Sequence, residues 1–206
     1  MIFEKLCIEA FDERNISKDI HEMNDHIKSL LVNAPPSHEI PFEVLQEIRR
    51  KGGGLLESQP YSEKAENRLI NYDNKKVTIR IFNHDSPNFV YLHIHGGGHC
   101  IGAADMQDQS LEKISNDLNC AVVSVEYRLA PVNPYPAAPD DCEAAAIWLI
   151  ENSKGQFNTE KIVIGGESAG ANLSAVTLQR LKSKGLLDNV KGANLIYGSY
   201  DARLTP

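Results

Sequence analysis

Residues 161–170 read KIVIGGESAG, a short apolar run followed at once by a serine between two glycines. The run has the length and composition of a buried strand, and the residues after Ser168 have helical spacing. Gly166 and Gly170 stand two residues either side of Ser168 and leave room for a tight turn. This context makes GxSxG a candidate nucleophile elbow, in which Glu167 and the two glycines shape the turn. The alternative interpretation is a glycine-rich helix start with an N-cap serine.

The same alternation of strand and helix extends to both sides of this stretch. A hairpin is predicted from strands 67–72 and 75–82, which are joined through Asp73-Asn74. Further strands are predicted at 89–94, 120–125, 161–164 and 193–197, with helices through Leu111 and Leu118, from Asp140 through Trp148, and from Ser168 to about Gly185. The pattern predicts an α/β fold with a mostly parallel sheet and helices on both faces.

The first part of the chain has a different sequence pattern, which predicts only helices. Helical spacing predicts an amphipathic helix over residues 17–32, with Ser17 as its N-cap and Ile20 on its apolar face. A second helix is expected from Pro41 to Gly52–Gly54, with Leu45 and Ile48 turned inward. The chain is therefore expected to contain a helical segment over residues 1–54 and an α/β domain over residues 55–206.

Composition excludes several classes of protein. The 206 residues are 42% apolar and 24% charged, which suits one globular domain with a small appendage. The net charge of −7 argues against a nucleic-acid partner. No signal peptide and no apolar run long enough to span a membrane is recognised, so a cytoplasmic location is expected. The four cysteines lie far apart and include no CxxC pair, which predicts reduced thiols.

A second glycine-rich stretch, HIHGGGH, occupies residues 93–99. Three consecutive glycines after a strand allow backbone N–H groups to turn toward one point, as an oxyanion hole requires. The competing interpretation is a metal site formed by His93, His95 and His99. No acidic residue stands inside this cluster, and the glycines separate His99 from the other two, so no metal is expected.

Three motifs together resemble the hormone-sensitive-lipase-like esterases, which form family IV of the alpha/beta-hydrolase fold. They are HGGG at 95–98, YRLAP at 127–131 within a proline-rich segment, and GESAG at 166–170. The resemblance covers residues of about 65–206, and the N-terminal helices look like the first part of the family's cap. The chain departs from the family pattern at Val132-Asn133 and at Ala171, beside the motif cores.

The resemblance implies a carboxylic-ester hydrolase that acts on short-chain acyl esters through an acyl-serine intermediate, without a cofactor. Ser168 then corresponds to the nucleophile. The N–H groups of Gly97, Gly98 and Ala169 correspond to the oxyanion hole. Gly96 shapes the loop and His95 braces it.

The resemblance does not assign the general base to any residue of this sequence. In this fold the triad follows the chain order serine, acid, histidine, but the last histidine of the sequence is His99, before Ser168. Only Asp188 and Asp201 follow Ser168 as aspartates, and both come before the position where the family's acid is expected. The fold is therefore expected to be truncated, without its last strands, acid and histidine, and His99 is the best substitute base.

Two functional classes stay open at this point. The chain is either a serine esterase by descent, with doubtful activity as it stands, or a catalytically inactive remnant that acts as a ligand-binding or protein-interaction module. The expected partners are a small-molecule ester substrate and either a second copy of the chain or a complementing C-terminal fragment. Self-association or a complementing fragment is expected because a strand at 193–197 would leave an open edge of the sheet.

Overall fold

The computed structural model of the protein describes residues 12–32, 34–52 and 60–201. The chain divides into two compact units, residues 1–57 and 58–206. In the first unit, helix α1 spans Lys18–Leu31 and helix α2 spans Phe42–Lys51. Gly52, at φ 75°, ends α2 in a left-handed conformation. Gly53 and Gly54 lie outside the described residues.

The apolar faces predicted for these two helices are not buried. Ile20 and Ile48 are exposed, and none of the described side chains of α1 or α2 is buried. The expectation that Ile48 turns inward is therefore wrong. Helical spacing predicts which residues share a face, but it does not determine whether another element covers that face.

In residues 60–201, the described part of the second unit, three helices flank one six-stranded sheet. Its elements are β1 (Glu66–Tyr72), β2 (Lys75–Phe82), β3 (Val90–Ile94), α3 (Asp108–Leu118), β4 (Ala121–Glu126), α4 (Ala137–Phe157), β5 (Ile162–Glu167), α5 (Ala169–Ser183) and β6 (Val190–Ile196). The strand order is β1-β2-β4-β3-β5-β6. Strands β1 and β2 are antiparallel to their neighbours, and the remaining pairs are parallel. The predicted fold class is confirmed.

The sheet is packed on both faces because its strands alternate their side chains. Leu92 of β3 belongs to the larger core, which packs under α4 and α5, whereas Tyr91 belongs to a smaller core with Leu111 of α3. The hairpin turn between β1 and β2 places Asp73 and Asn74 at φ 48° and 61°, the conformation that a tight two-residue hairpin requires.

Several elements are longer than the sequence pattern indicates. Helix α4 begins at Ala137, before Asp140, because a proline such as Pro139 is tolerated in the first turn of a helix. Strand β5 continues through both glycines to Glu167, since Gly166 pairs with Ile94 of β3 and with Leu195 of β6. Pairing on both sides outweighs the low strand preference of glycine.

Three of the four cysteines lie in the described residues, and all three are free thiols: Cys100, Cys120 and Cys142. Burial raises the pKa of Cys120 to about 11 and raises the pKa of Cys142 well above its usual value. Cys7 lies outside the described residues. Within the described part of the chain, no helix combines the length and the apolar character needed to cross a membrane.

Candidate functional site

Ser168 lies on the turn between β5 and α5 with φ 54° and ψ −119°. A non-glycine residue at positive φ is strained, and such strain is concentrated at functional sites. The turn is held by hydrogen bonds from the N–H of Ser168 to the carbonyl of Ile196 (2.9 Å) and from the N–H of Asn172 to the carbonyl of Ser168 (3.1 Å). Ser168 precedes the helix, but its hydroxyl caps no helix N–H. The N-cap interpretation therefore does not account for the side chain.

Gly166 and Gly170 allow the end of β3 to lie directly against this turn. A Cβ atom built on either glycine would lie 1.9 Å from the carbonyl oxygen of Ile94. Any side chain at these two positions would force the nucleophile turn away from β3. The two glycines of the GxSxG pattern thus bring Ser168 close to the loop that follows Ile94.

That loop contains the predicted oxyanion glycines, with Gly97 at φ 122° and Gly98 at φ 61°. Its turn is closed by hydrogen bonds from the N–H groups of Cys100 (3.0 Å) and Ile101 (2.9 Å) to the carbonyl of Gly97. Within the described residues, the N–H groups of Gly97, Gly98 and Ala169 donate to no acceptor. They are therefore available to a charge that develops beside Ser168.

One cavity of about 510 Å³ brings together Ser168 and two of these three residues, and Gly97 is not in its lining. Gly98, Ser168 and Ala169 line it, together with His99, Asn172, Tyr197, Ser199 and Tyr200. The cavity lies at the carboxyl ends of β3 and β5, where open parallel sheets place their ligands. The arrangement can hold a small carbonyl compound beside the serine hydroxyl.

The side chain of Glu167 connects the nucleophile turn to the glycine loop. Its Oε1 accepts hydrogen bonds from the N–H of Gly96 (2.6 Å) and from Nε2 of Gln107. Its Oε2 lies 3.1 Å from Nε2 of His93, and Nδ1 of His93 lies 2.9 Å from the hydroxyl of Ser124. Burial acts to raise the pKa of Glu167, but these hydrogen bonds and the charge of His93 outweigh it and lower the pKa.

His95 lies below the same loop, in the interior. Its ring stacks on Tyr127 at a centroid distance of 4.2 Å, and its Nδ1 lies 2.8 Å from the carbonyl oxygen of Gly96. The Tyr127 hydroxyl donates to the carbonyl of His95 at 2.8 Å. These contacts suit a bracing role for His95. The next residue after Tyr127, Arg128, forms a bidentate ion pair with Asp141 of α4.

Sequence reasoning missed the partners that complete the site. The contacts of Tyr127 and Gln107 come from segments distant in the sequence, and no local pattern indicates them. Asn172 could have been found, because it lies four residues after Ser168 in a helix and so shares its face. His93 has an acidic partner, Glu167, although the sequence around the histidines contains none.

The three histidines do not form a metal site in the structure. Residues 12–32, 34–52 and 60–201 contain no group of three or more His, Cys, Asp or Glu side chains that could hold a metal ion. His93 and His95 are directed into the contacts described above, whereas His99 lines the cavity of Ser168. Nε2 of His99 lies 3.4 Å from Oδ1 of Asn172. No described side chain is hydrogen-bonded to the Ser168 hydroxyl.

Sequence comparison places this arrangement among known proteins. The profile of the alpha/beta hydrolase fold family matches residues 91–206, more than half of the chain. The chain is 36% identical over 139 residues to an arylesterase of Saccharolobus solfataricus. The aligned region covers 64% of this chain and 45% of that protein. It is 36% identical over 129 residues to the carboxylesterase NlhH of Mycobacterium tuberculosis. That aligned region covers 59% of this chain and 40% of that protein.

Structural comparison agrees with the sequence. A solved arylesterase structure superposes with a TM-score of 0.73 at 25% identity, covering 93% of this chain and 62% of that one. The hyperthermophilic esterase of Pyrobaculum calidifontis superposes with a TM-score of 0.74 at 26% identity, covering 89% and 59%. The chain thus spans less than two thirds of each of these relatives. From the profile match, the shared motifs and these neighbours, we conclude that the chain belongs to the alpha/beta hydrolase fold family, among the hormone-sensitive-lipase-like esterases.

Proposed function

We propose that this chain carries the nucleophile and the oxyanion site of a serine carboxylic-ester hydrolase that acts on short-chain acyl esters. The observation that supports this most directly is the cavity that Ser168 shares with Gly98 and Ala169. The strained Ser168 lines the same space as Gly98 and Ala169, whose N–H groups have no acceptor among the described residues. The names of the relatives, arylesterase and carboxylesterase, favour the same reaction class.

The proposed reaction has two steps. The Ser168 oxygen attacks the ester carbonyl carbon, and the N–H groups of Gly97, Gly98 and Ala169 stabilise the resulting oxyanion. The carbon–oxygen bond to the alcohol then breaks, and the alcohol leaves with the proton that the Ser168 hydroxyl has given up, so that an acyl-serine remains. Water attacks this ester in the second step and releases the carboxylic acid.

Both steps need a general base. The expected rate therefore depends on whether a side chain of this chain can act as that base. The 206 residues contain no histidine after His99, and no described histidine is hydrogen-bonded to Ser168. An oxyanion hole and substrate binding without a base accelerate acyl transfer by about 10³ to 10⁴ over water. We therefore expect slow acylation of Ser168 and slow turnover by the 206-residue chain.

The test is the reaction of the purified chain with p-nitrophenyl butyrate, followed by release of nitrophenol and by intact mass. Slow release, with one butyryl group located on Ser168 by peptide mapping, is expected. The Ser168→Ala variant provides the matched control, and its loss of both signals is expected. Equal reaction in the variant would contradict the proposal. Fast turnover that depends on Ser168 would keep the reaction class and assign the base to one of the upstream histidines.

A second candidate function is a non-catalytic ligand-binding module. The observation that favours it is the same lack of a base partner for Ser168 among the described side chains. Binding of a short carboxylate, together with no acylation of Ser168 after prolonged incubation with the activated ester, would favour this candidate over the esterase.

A further inference from the structure

His93 lies in the centre of the sheet, on β3 between β4 and β5, and it is not in the lining of the Ser168 cavity. The residue is 3% exposed, and both of its ring nitrogens have polar partners. Nε2 lies 3.1 Å from Oε2 of Glu167, and Nδ1 lies 2.9 Å from the hydroxyl oxygen of Ser124. His93 is therefore not placed to take a proton from Ser168, and its buried contact with the neighbouring Glu167 needs another explanation.

The two partners determine which protons the imidazole of His93 carries. The pKa of Glu167 is lowered, so its carboxylate is ionised near neutral pH and only accepts hydrogen bonds. Nε2 of His93 must therefore donate to Oε2 of Glu167. The hydroxyl of Ser124 can donate to a neutral ring or accept from a charged one, because its hydrogen rotates. The contact between His93 and Glu167 is thus kept in both charge states of the imidazole.

The other oxygen of Glu167 joins the two ends of the loop that contains the oxyanion glycines. Oε1 accepts the N–H of Gly96 at 2.6 Å and a side-chain N–H of Gln107, the residue before α3. One oxygen atom thus holds both ends of the segment 96–107. Since His93 holds Oε2, the carboxylate cannot turn Oε1 away from Gly96 without breaking contacts on both sides.

We infer that His93 is a positioning residue for the oxyanion loop, and the catalytic effect of this role rests on the proposed ester hydrolysis. Its imidazole holds Oε2 of Glu167, so that Oε1 stays on the N–H of Gly96. The side chain of Glu167 is only 17% exposed, so without the imidazole Oε2 would lose its partner in a mostly buried place. Such an oxygen is costly, and the side chain would turn toward solvent or take up a proton. Either change weakens the contact with Gly96.

The first experiment measures hydrogen–deuterium exchange of the Gly96 N–H by mass spectrometry and needs no turnover. In His93→Leu, the exchange should be faster by about tenfold or more, because a hydrogen bond to a charged acceptor is weakened. His93→Gln should keep the slow exchange, since its amide N–H donates to Oε2 of Glu167 in place of the imidazole. Tyr91→Phe is the matched control, because it removes a buried hydroxyl of β3 that accepts a hydrogen bond from Asn194. It should leave the exchange of Gly96 unchanged.

The second experiment measures the acylation of Ser168 by p-nitrophenyl butyrate over a range of concentrations. His93→Leu should lower the maximal rate constant by about tenfold to a hundredfold, because a small displacement of the oxyanion donors is costly. The half-saturating concentration should change little, since the oxyanion forms only on the way to the acyl-serine. His93→Gln should restore most of the rate, and Tyr91→Phe should react like the unmodified chain.

A double-mutant cycle tests whether His93 acts through Glu167. In a Glu167→Gln background, His93→Leu should add little further change to the exchange of Gly96 or to the acylation rate. A full additional effect in that background would overturn the inference. Unchanged exchange in His93→Leu, or equal losses in the Leu and Gln variants, would overturn it as well. His93→Met takes the place of His93→Leu if circular dichroism shows that the Leu variant does not fold.

Failure of the proposed function gives a different result from failure of this inference. A chain in which the exchange of Gly96 responds as expected, but in which Ser168 is never acylated, would keep the positioning role and reject the esterase. A chain in which Ser168 is acylated, but in which the exchange of Gly96 does not depend on His93, would keep the esterase and reject the positioning role.

Discussion

The carboxylate of Glu167 accepts a hydrogen bond from the N–H of Gly96 across 2.6 Å, so the residue before the candidate nucleophile holds the first glycine of the oxyanion loop. The two residues are 71 positions apart in the sequence. A Cβ atom on Gly96 would lie 2.9 Å from the carbonyl oxygen of Glu167, so the backbones also approach closely. The position of the loop relative to Ser168 therefore depends on this contact.

We expect the stability of the chain to depend on the ionisation of Glu167 in acid. Its pKa is lowered in the folded protein, so its contribution to stability is complete above the unfolded value of about 4.3. That contribution is lost as the pH falls through the lower, folded pKa. The Glu167→Gln variant should therefore have a lower melting temperature than the unmodified chain near neutral pH. On acidification, its melting temperature should fall by less than that of the unmodified chain.

Thermal unfolding between about pH 3 and 7 measures this dependence. Glu151→Gln, a change at an exposed residue of α4, is the control for removing one carboxylate. An equal fall in melting temperature on acidification for Glu167→Gln and for the unmodified chain would contradict the role assigned to the Glu167 carboxylate.

A valine at Gly98 should slow the acylation of Ser168. Valine keeps the backbone N–H, but its side chain would block the approach of the acyl oxygen to that N–H. The loss of one oxyanion contact raises the barrier by on the order of 3 kcal/mol, a factor of about 100 in rate. Gly98 lies at φ 61° with open space where a Cβ atom would stand, so a side chain there enters the cavity without a clash in the core. The measurement is the rate of butyryl transfer to Ser168.

Gly185 supplies the control for backbone strain, because it has φ 72° and equally open surroundings at the end of α5. Gly185→Val should cost comparable stability but leave the acylation rate close to that of the unmodified chain. Equal rates for the two variants would show that Gly98 only makes a turn. Gly97→Val should also slow acylation, but through collapse of the loop, because its Cβ atom would lie 1.9 Å from the carbonyl oxygen of Ile101.

Removal of Asp108 should destabilise the second unit strongly. Its carboxylate pairs with Arg80 in the interior, with side-chain exposures of 0% and 1%, and also accepts the N–H of Ser62 at 2.8 Å. Asp108→Ala leaves the guanidinium buried without its partner, which costs about 3–5 kcal/mol. Chemical denaturation measures the loss.

Asp117→Ala on the same helix is the matched control, since Asp117 pairs with Lys113 in solvent. An exposed pair of this kind is worth about 0.3–0.5 kcal/mol. Similar free energies of unfolding for the two variants would mean that the interior pair contributes no more than the surface pair.

Strand β6 should mediate self-association of the 206-residue chain. It is the last strand of the described sheet, and the exposed fractions of Leu195 and Ile196 are 39% and 40%. An edge strand with exposed apolar side chains pairs readily with another chain. Sedimentation of the chain at increasing concentration should show dimers or larger species, and Leu195→Lys should reduce them.

Leu69→Lys tests the opposite edge of the sheet, where Leu69 of β1 is 56% exposed. This variant should leave the association unchanged. A monodisperse monomer of the unmodified chain at every concentration would refute self-association through β6. Reduction of the association by Leu69→Lys alone would move the contact to β1.

The strands and helices of the second unit could be predicted because each depends on nearby residues. Alternation of Val77, Ile79 and Ile81 defines β2, and the pair Asp73-Asn74 defines its turn. Element ends were less predictable, as the early start of α4 at Ala137 shows, because its first turn contains a proline that a propensity argument treats as a stop. The exposure of Ile48 was predicted wrongly for a different reason, since burial depends on what covers a helix.

For the candidate site, the sequence by itself determined the residue types and the local turns. The glycines around Ser168, and the three glycines at 96–98, permit positive φ and close backbone approach, which other residues rarely allow, so the tight turns can be inferred from the order of residues. The tertiary structure alone decided which side chains meet across these turns: Glu167 with Gly96, Tyr127 with His95, and His99 with Asn172. Such contacts depend on how parallel strands align at one edge of the sheet, and no local propensity specifies that alignment.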